Sequence, residues 1–517
     1  MSEREIVEQD DPTAGTGADD GQRVEKVRVG RRTAVGLAFG SSAAVLVLEL
    51  ISLRLVAPYL GLTLETNTAI IGVALAAIAT GAAMGGRMAD VVSPTRSLGP
   101  TILVSGALIM LILPVVRWTG EAVRGGSSNA VFLAVAIAMF VPASLLAAVT
   151  PMVTKLQLAT LAETGTVVGR LSAYATVGAI AGTILTGFVF VAQVPTSTIV
   201  LWLGGLLVVS GLVLTLVLRG ARAAAGPLAI AIVGTGLTVI APKPCEVETA
   251  YHCARVVVDP ARASGRTLYL DKLRHSYVDL NDPTYLEFEY AKDIVAAVGA
   301  RWPGTEPLKA LHVGGGGLTL PRYFQATRLG TQNKVFEIDP GVVEVDKAQL
   351  GAKTGPDLDV QVRDGRLGVR DEPADSRDLV IGDAFGGVAV PWHLTTRETI
   401  ADIRRVLDSD GLYAVNVIDF GPLAFARAEV RTIAAEFPHT AVVARKTKLA
   451  REAGGNLVVL GSDQPIDAAA IMAGIGERAP LYDVLTEPDE LKAFIGDAPL
   501  LTDDFAPVDQ LLTPTPT

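Results

Sequence analysis

The stretch "ALHVGGGGLTLPRYF" (residues 310–324) decides how the second half of this chain folds. A short apolar run meets four successive glycines, and an amphipathic segment follows. Strand, loop and helix in that order open a βαβ unit, with bare backbone where a ligand can come close without meeting a Cβ. The dinucleotide fingerprint is disfavoured, because Thr319 or Leu320 stands where its third glycine belongs. A phosphate-cradling loop fails as well, since no Lys-Ser/Thr pair follows the glycines.

Downstream, apolar runs alternate with helical periodicity. Strands are expected at 308–313, 334–338, 358–363, 378–383 and 412–418, with helices at 318–328, 340–350, 395–407 and 423–436. That alternation predicts a mostly parallel sheet covered by helices on both faces, with ligands at the carboxyl ends of the strands. Four consecutive strand ends then offer glycines or a carboxylate to one crevice: Gly314, Gly315 and Gly316; Glu337 in "KVFEID" (334–339); Asp364 in "RDG" (363–365); and Asp383 in "VIGDAFGG" (380–387). An acidic residue ending the second strand can accept both ribose hydroxyls of a nucleoside. Asp364 is placed to contact an adenine amino group, and Asp383 the rim of the crevice. Upstream, residues 243–280 hold three short β-rich runs, read as a small antiparallel sheet, and a helix is expected from about Tyr285 to Val298.

The first half is different in kind. Half of the 517 residues are apolar, only 5% are aromatic, and nearly all long apolar runs precede residue 243. Candidate membrane spans lie near 34–56, 67–88, 98–117, 129–150, 168–192, 198–218 and 226–242, the last short and bounded by Pro227 and Pro242. "IGVALAAIATGAAMGG" (71–86) and "VGAIAGTILTGF" (177–188) read as small-residue helix-packing faces. The first 20 residues carry seven acids and form a disordered tail, within an N-terminal segment 1–32 that turns basic at "RVEKVRVGRR" (23–32). A secretory signal is disfavoured, because the apolar run is too long and lacks a small-residue cleavage site.

Basic residues mark alternate loops as cytoplasmic: Arg87 and Arg96, Lys155 and Arg170, Arg219 and Arg222, with Arg117 and Arg124 dissenting. Six spans put the second half in the cytoplasm; seven put it outside. The only cysteines, Cys245 and Cys253, can close a disulfide if outside and are free thiols if inside, too few for a zinc site in either case. Glu49 and Arg54 fall within the first span, where Arg54 can snorkel to the interface and Glu49 bond a neighbouring helix. A net charge of −10 without a basic stripe argues against nucleic acid as a partner.

The order "HVGGGG", "FEIDP", "VRDG", "DLVIGDAF" resembles the spermidine synthase family of polyamine aminopropyltransferases, within the S-adenosylmethionine methyltransferase-type folds. "TAYHCARVVV" (249–258) looks like that family's Ser-x-Tyr-Gln strand, "LYLDKLRHS" (268–276) like its Leu-Asp-Gly element, and "DPTYLEFEY" (282–290) is similar to its Tyr-His-Glu segment. The apolar half and the ending "LLTDDFAPVDQLL" (500–512) look like a membrane-fused branch. The expected fold is therefore a multi-pass α-helical membrane domain (33–242), then the small β region, then a Rossmann-like α/β domain (281–517).

The resemblance implies that Glu337 holds the ribose and Asp364 the adenine of decarboxylated S-adenosylmethionine or methylthioadenosine. It implies that Tyr285 and Glu287 line an amine pocket and that Asp383 faces the reacting centre, with no metal and no tightly bound cofactor. A neutral amine attacking a sulfonium-activated carbon needs a base and an anionic pocket. Yet Gly317 stands where the family's glycine loop carries Asp, and Gly386 where its catalytic loop carries a second Asp. Two family glutamines fall on His252 and His275, and Leu286 takes the place of the middle residue of Tyr-His-Glu. His393 in "VPWHLTTRE" (390–398) is a candidate replacement base, and Asp503 and Asp504 can rim the site. The leading expectation is aminopropyl transfer to an amine such as putrescine. The alternatives are methyl transfer from S-adenosylmethionine and a non-catalytic transporter or sensor. Expected partners are the lipid bilayer and a small polyamine or other amine, with a homodimer left open.

Overall fold

The computed structural model describes residues 29–61, 64–122, 128–158, 164–219, 224–386 and 390–513. The acidic tail, Arg124 and Arg222 lie outside the described residues. The apolar half is a helical bundle. Its helices are α1 (Arg31–Leu60), α2 (Leu64–Val91), α3 (Pro94–Ala122), α4 (Ser128–Ala147), α5 (Val149–Gln157), α6 (Thr164–Leu185), α7 (Val191–Gln193), α8 (Thr196–Arg219) and α9 (Ala225–Ile240). Among the described residues, six stretches are long and apolar enough to cross a membrane: 31–60, 66–91, 94–122, 131–157, 164–193 and 196–218. Both small-residue stretches face neighbouring helices: a Cβ on Gly81 would lie 2.1 Å from the Ser144 carbonyl oxygen, and one on Gly178 would lie 2.1 Å from that of Phe39. Only glycine allows backbones to pack at that distance.

The seventh segment forms α9, 16 residues long. At 1.5 Å per residue it spans about 24 Å, short of a hydrocarbon core of about 30 Å. It nevertheless runs alongside α3 in the same direction, with Thr235 beside Met110 and Thr238 beside Arg117. The chain therefore leaves the bundle at the end where α1 and α3 finish.

There Cys245 and Cys253 are joined as a disulfide. The strands β1 (Val247–Glu248), β2 (Cys253–Asp259), β3 (Arg262–Leu270) and β4 (Leu273–Asp279) form an antiparallel sheet in that order. The main sheet has eight strands in the order β12-β10-β11-β9-β8-β5-β6-β7. Its strands are β5 (Lys309–Val313), β6 (Gln332–Glu337), β7 (Leu358–Val362), β8 (Arg377–Gly382), β9 (Leu407–Asp419), β10 (His439–Arg445), β11 (Gly455–Ser462) and β12 (Tyr482–Leu485). The five strands β7, β6, β5, β8 and β9 are parallel, as the alternation predicts, and β11, β10 and β12 continue antiparallel.

Helices cover both faces. On one side Leu311, Val380 and Val415 pack with α14 (Arg397–Val406) and α15 (Ala424–Glu436). On the other, Ala310, Ile381 and Ala414 pack with α10 (Glu289–Arg301) and α11 (Thr319–Thr327). Each buried leucine- or valine-sized side chain is worth about 1.5–3 kcal/mol, so a strand buried on both faces has its register fixed firmly. The helix expected from Tyr285 begins four residues later, at Glu289. The Tyr285 N–H turns back to the Asp282 carbonyl, and Phe288 is extended at φ −78, ψ 136. Two short elements complete the crevice: α12 (Pro340–Gln349) after β6 and α13 (Gly365–Asp371) after β7.

Candidate active site

The glycine loop is pinned between two strand ends. Gly314 has φ +104, and a Cβ on it would lie 2.3 Å from the Asp383 carbonyl oxygen. Its N–H donates to Phe336 at 2.9 Å, while the Asp383 N–H donates to Val313 at 2.8 Å. The Gly315 N–H donates to Glu337 Oε2 at 2.7 Å, and the Asp339 N–H to Glu337 Oε1 at 2.9 Å. Glu337 is nearly buried, and that burial pushes its carboxyl above the ordinary range. Asp364 caps α13, accepting the Leu367 N–H at 2.9 Å.

Asp383 is the centre of a part-buried polar chain. Its Oδ2 accepts the Tyr290 hydroxyl and its Oδ1 the Asn416 side-chain amide, each at 2.9 Å. The Asn456 amide donates to Asn416 Oδ1 at 2.9 Å, which turns the Asn416 NH₂ toward Asp383. Burial pushes the Asp383 carboxyl up to about 6, against the pull of the two donors. A cavity of about 180 Å³ opens beside it, lined by Asp383, Tyr290, Asn416, His275, Arg274 and the loop Gly314–Gly316, with Phe288, Phe385 and Phe420 as its apolar wall.

Several expected residues stand elsewhere. Tyr285 and Glu287 do not line this cavity; they bond each other at 2.8 Å, with Arg262 3.9 Å above the Tyr285 ring and Arg274 3.6 Å from Glu287. Because 281–288 is irregular and α10 starts only at Glu289, the cavity receives Phe288 and Tyr290 instead. His393 also lies outside the cavity lining, 3.4 Å from Asp364 and edge-on to Trp392, so it is not positioned as a base beside Asp383. His252 faces Asp271 at 3.0 Å, whereas His275 lines the cavity against Gly316 and is pushed down to about 4 by burial, hence neutral. Asp503 pairs through both carboxylate oxygens with Arg366, tying the C-terminal segment to α13.

Gly317 has φ +78, and a Cβ there would lie 2.1 Å from Ser276 Oγ. Its N–H donates at 3.0 Å to Asp346, a carboxyl buried beneath the loop and pushed well above the ordinary range by desolvation. The aspartate missing at 317 is thus excluded sterically by β4, and the nearest acid is tied to backbone behind the loop. Sequence reading missed Tyr290, Asn416 and Asn456. A polar residue inside the apolar run "YAVNVID" was the available signal for Asn416.

The glycine loop and the acidic strand ends lie at the carboxyl ends of neighbouring parallel strands, where doubly wound α/β sheets place their ligands. No family model matches the chain. A polyamine aminopropyltransferase from Pyrobaculum calidifontis is 32% identical over 170 residues, 30% of this chain and 55% of that relative. Another from Vibrio vulnificus is 23% identical over 218 residues, 40% of this chain and 70% of the relative. The chain thus spans about half the length of the first of these curated relatives. A solved structure described as a probable spermidine synthase from Corynebacterium glutamicum shares 26% identity over 50% of this chain and 95% of its own, with a TM-score of 0.47. The spermidine synthase from Thermotoga maritima shares 18% identity over 51% of this chain and 81% of its own, with a TM-score of 0.33. Part of this chain is thus similar in sequence to polyamine aminopropyltransferases.

Proposed function

We propose that this chain is a membrane-bound aminopropyltransferase that moves an aminopropyl group from decarboxylated S-adenosylmethionine to an amine such as putrescine. The observation that carries this reading is Asp383, a part-buried carboxylate held by Tyr290 and Asn416 beside the glycine loop. In this reading Gly314, Gly315 and Gly316 admit the nucleoside, Glu337 takes the ribose hydroxyls and Asp364 the adenine. The amine nitrogen attacks the aminopropyl carbon, the C–N bond forms as the C–S bond breaks, and methylthioadenosine leaves uncharged. The proton released from the amine passes to Asp383, whose value of about 6 suits a base working near neutrality. Tyr290 and Asn416 orient that carboxylate and hold its charge.

The test is release of methylthioadenosine by the purified full-length protein given decarboxylated S-adenosylmethionine and putrescine. Asp383→Asn is expected to lower the rate about 10²–10⁴-fold. Methylation from intact S-adenosylmethionine without any methylthioadenosine release would replace this reading by methyl transfer.

The apolar bundle is read as a multi-pass domain in the cell membrane, with the lipid bilayer as its partner. Arg31, Arg32, Arg87, Arg96 and Lys155 cluster near the helix ends away from the α/β half, where Gln157 bonds Val29 and Lys155 bonds Asp90. Basic residues at that end support a cytoplasmic position for it, and so an external position for the α/β half. The Cys245–Cys253 disulfide agrees, because such bonds persist outside the cytosol. That orientation favours a second reading: a nucleoside- or polyamine-binding sensor domain without turnover, since adenosyl sulfonium compounds are cytosolic metabolites. Binding of methylthioadenosine with no release from decarboxylated S-adenosylmethionine would select it.

A further inference from the structure

Arg54 has no part in the chemistry above, yet it reaches out of the apolar bundle toward the site. It stands six residues before the end of α1 at Leu60. Its Nη1 donates to the Ala250 carbonyl at 2.5 Å and its Nη2 to the Thr249 carbonyl at 2.9 Å. Those carbonyls belong to the turn between β1 and β2, inside the loop closed by Cys245 and Cys253.

The turn leads directly to the nucleoside carboxylate. The Thr249 hydroxyl accepts the Tyr251 N–H at 3.1 Å and the His252 N–H at 2.8 Å, and donates to the carboxylate of Asp339. Asp339 is buried, caps α12 by accepting the Gly341 N–H at 2.9 Å, and donates its own N–H to Glu337 Oε1 at 2.9 Å. The other oxygen of Glu337 holds Gly315 of the glycine loop. Hydrogen bonds therefore run without a gap from a helix of the apolar bundle to the residue read as the ribose ligand. A guanidinium bonded to two carbonyls fixes the turn in both position and orientation, as a single neutral contact would not.

A second tie between the halves lies close by. Glu248, in β1, accepts the Ser197 N–H from the first turn of α8 at 2.9 Å and stands 3.8 Å from Arg117 of α3. That tie grips the strand, whereas Arg54 grips the turn whose side chain touches Asp339.

We infer that Arg54 is a positioning residue for the nucleoside site: through Thr249 and Asp339, the apolar bundle sets where Glu337 stands. This rests on the nucleoside-binding reading of the crevice. Nucleoside affinity is then a property of the full chain, open to influence from the membrane-facing half.

The test uses the full-length protein in lipid nanodiscs, titrated calorimetrically with methylthioadenosine. Arg54→Met is expected to weaken binding about tenfold, the scale of losing a charged hydrogen bond to buried backbone. Arg54→Lys should recover part of the loss, since an ammonium can still reach one carbonyl. In turnover, KM for the sulfonium nucleoside should rise while kcat is kept, which simple loss of folded protein would not produce. Thr249→Val should show the same loss, and the double variant should be no weaker than either single one, because both break one chain. Where Arg54→Met fails to fold, Arg54→Lys and Thr249→Val carry the measurement. Wild-type affinity in Arg54→Met, or losses that add in the double variant, would overturn the inference while leaving the nucleoside reading intact. No uptake of methylthioadenosine by the wild-type chain would remove that reading and the inference with it.

Discussion

Tyr290, in the first turn of α10, donates its hydroxyl to Asp383 at 2.9 Å and so joins positions 93 residues apart in the chain. Burial raises Asp383 to about 6, and the Tyr290 and Asn416 bonds hold it from going higher. The base form grows in as pH rises through about 6, so kcat/KM is expected to climb over that limb. Tyr290→Phe removes a donor to the carboxylate, and the limb should move to higher pH. A pH–rate profile that stays in place would show that another group is the base.

The same group has the opposite sign in stability. Folded Asp383 keeps its proton up to about 6, whereas in the unfolded chain it loses it in the ordinary carboxylate range. Its stabilising contribution is therefore full at low pH and lost as pH rises through about 6. Asp383→Asn should flatten that part of the thermal stability profile.

Glu337 accepts backbone N–H groups on both oxygens, from Gly315 and Asp339. In Glu337→Gln one of those donors must face an amide NH₂. Affinity for methylthioadenosine is expected to fall about 10–100-fold, the range for a lost charged hydrogen bond at a buried site. Calorimetry showing unchanged affinity would place the ribose elsewhere.

Gly317→Asp restores the residue type that the resemblance calls for, yet it should harm the protein. The position has φ +78 and Ser276 fills the space a side chain needs. A destabilisation of about 1–3 kcal/mol is expected from the backbone alone. Calorimetric unfolding should reveal it, and a gain in both stability and turnover would contradict the geometry.

Cys245 and Cys253 close a short loop at the junction of the two halves. Its closure should stabilise that junction by roughly 2–3 kcal/mol, in the chain-entropy account of a loop this short. On intact cells, a membrane-impermeant maleimide should label the protein only after reduction. Labelling that requires permeabilised cells would put the α/β half in the cytoplasm.

The strand ends at Gly314, Glu337, Asp364 and Asp383 were legible because β-rich runs alternate with helical ones, and parallel topology brings consecutive strand ends to one edge. Tyr285 and Glu287 stand outside the cavity lining for a local reason: the irregular stretch before Glu289 shifts which side chains meet the cavity, and periodicity does not report a delayed helix start. His393 was read as a base from its place in the loop after Asp383, but the loop folds it back onto Asp364.

By itself the sequence determined two things: an apolar half built of long helices, and a glycine loop with acidic strand ends in a βαβ sheet. Both are written in local patterns, the length of apolar runs and the placing of turn residues. Only the tertiary structure decided that α9 returns the chain to the end of the bundle where α1 and α3 finish, that Ser276 bars an acid at Gly317, and that Tyr290 and Asn416, itself held by Asn456, meet at Asp383. It alone joined Arg54 to Glu337. These relations depend on side chains from distant segments meeting in a packed interior, where position is set by what fills the space around them and sequence distance has no bearing.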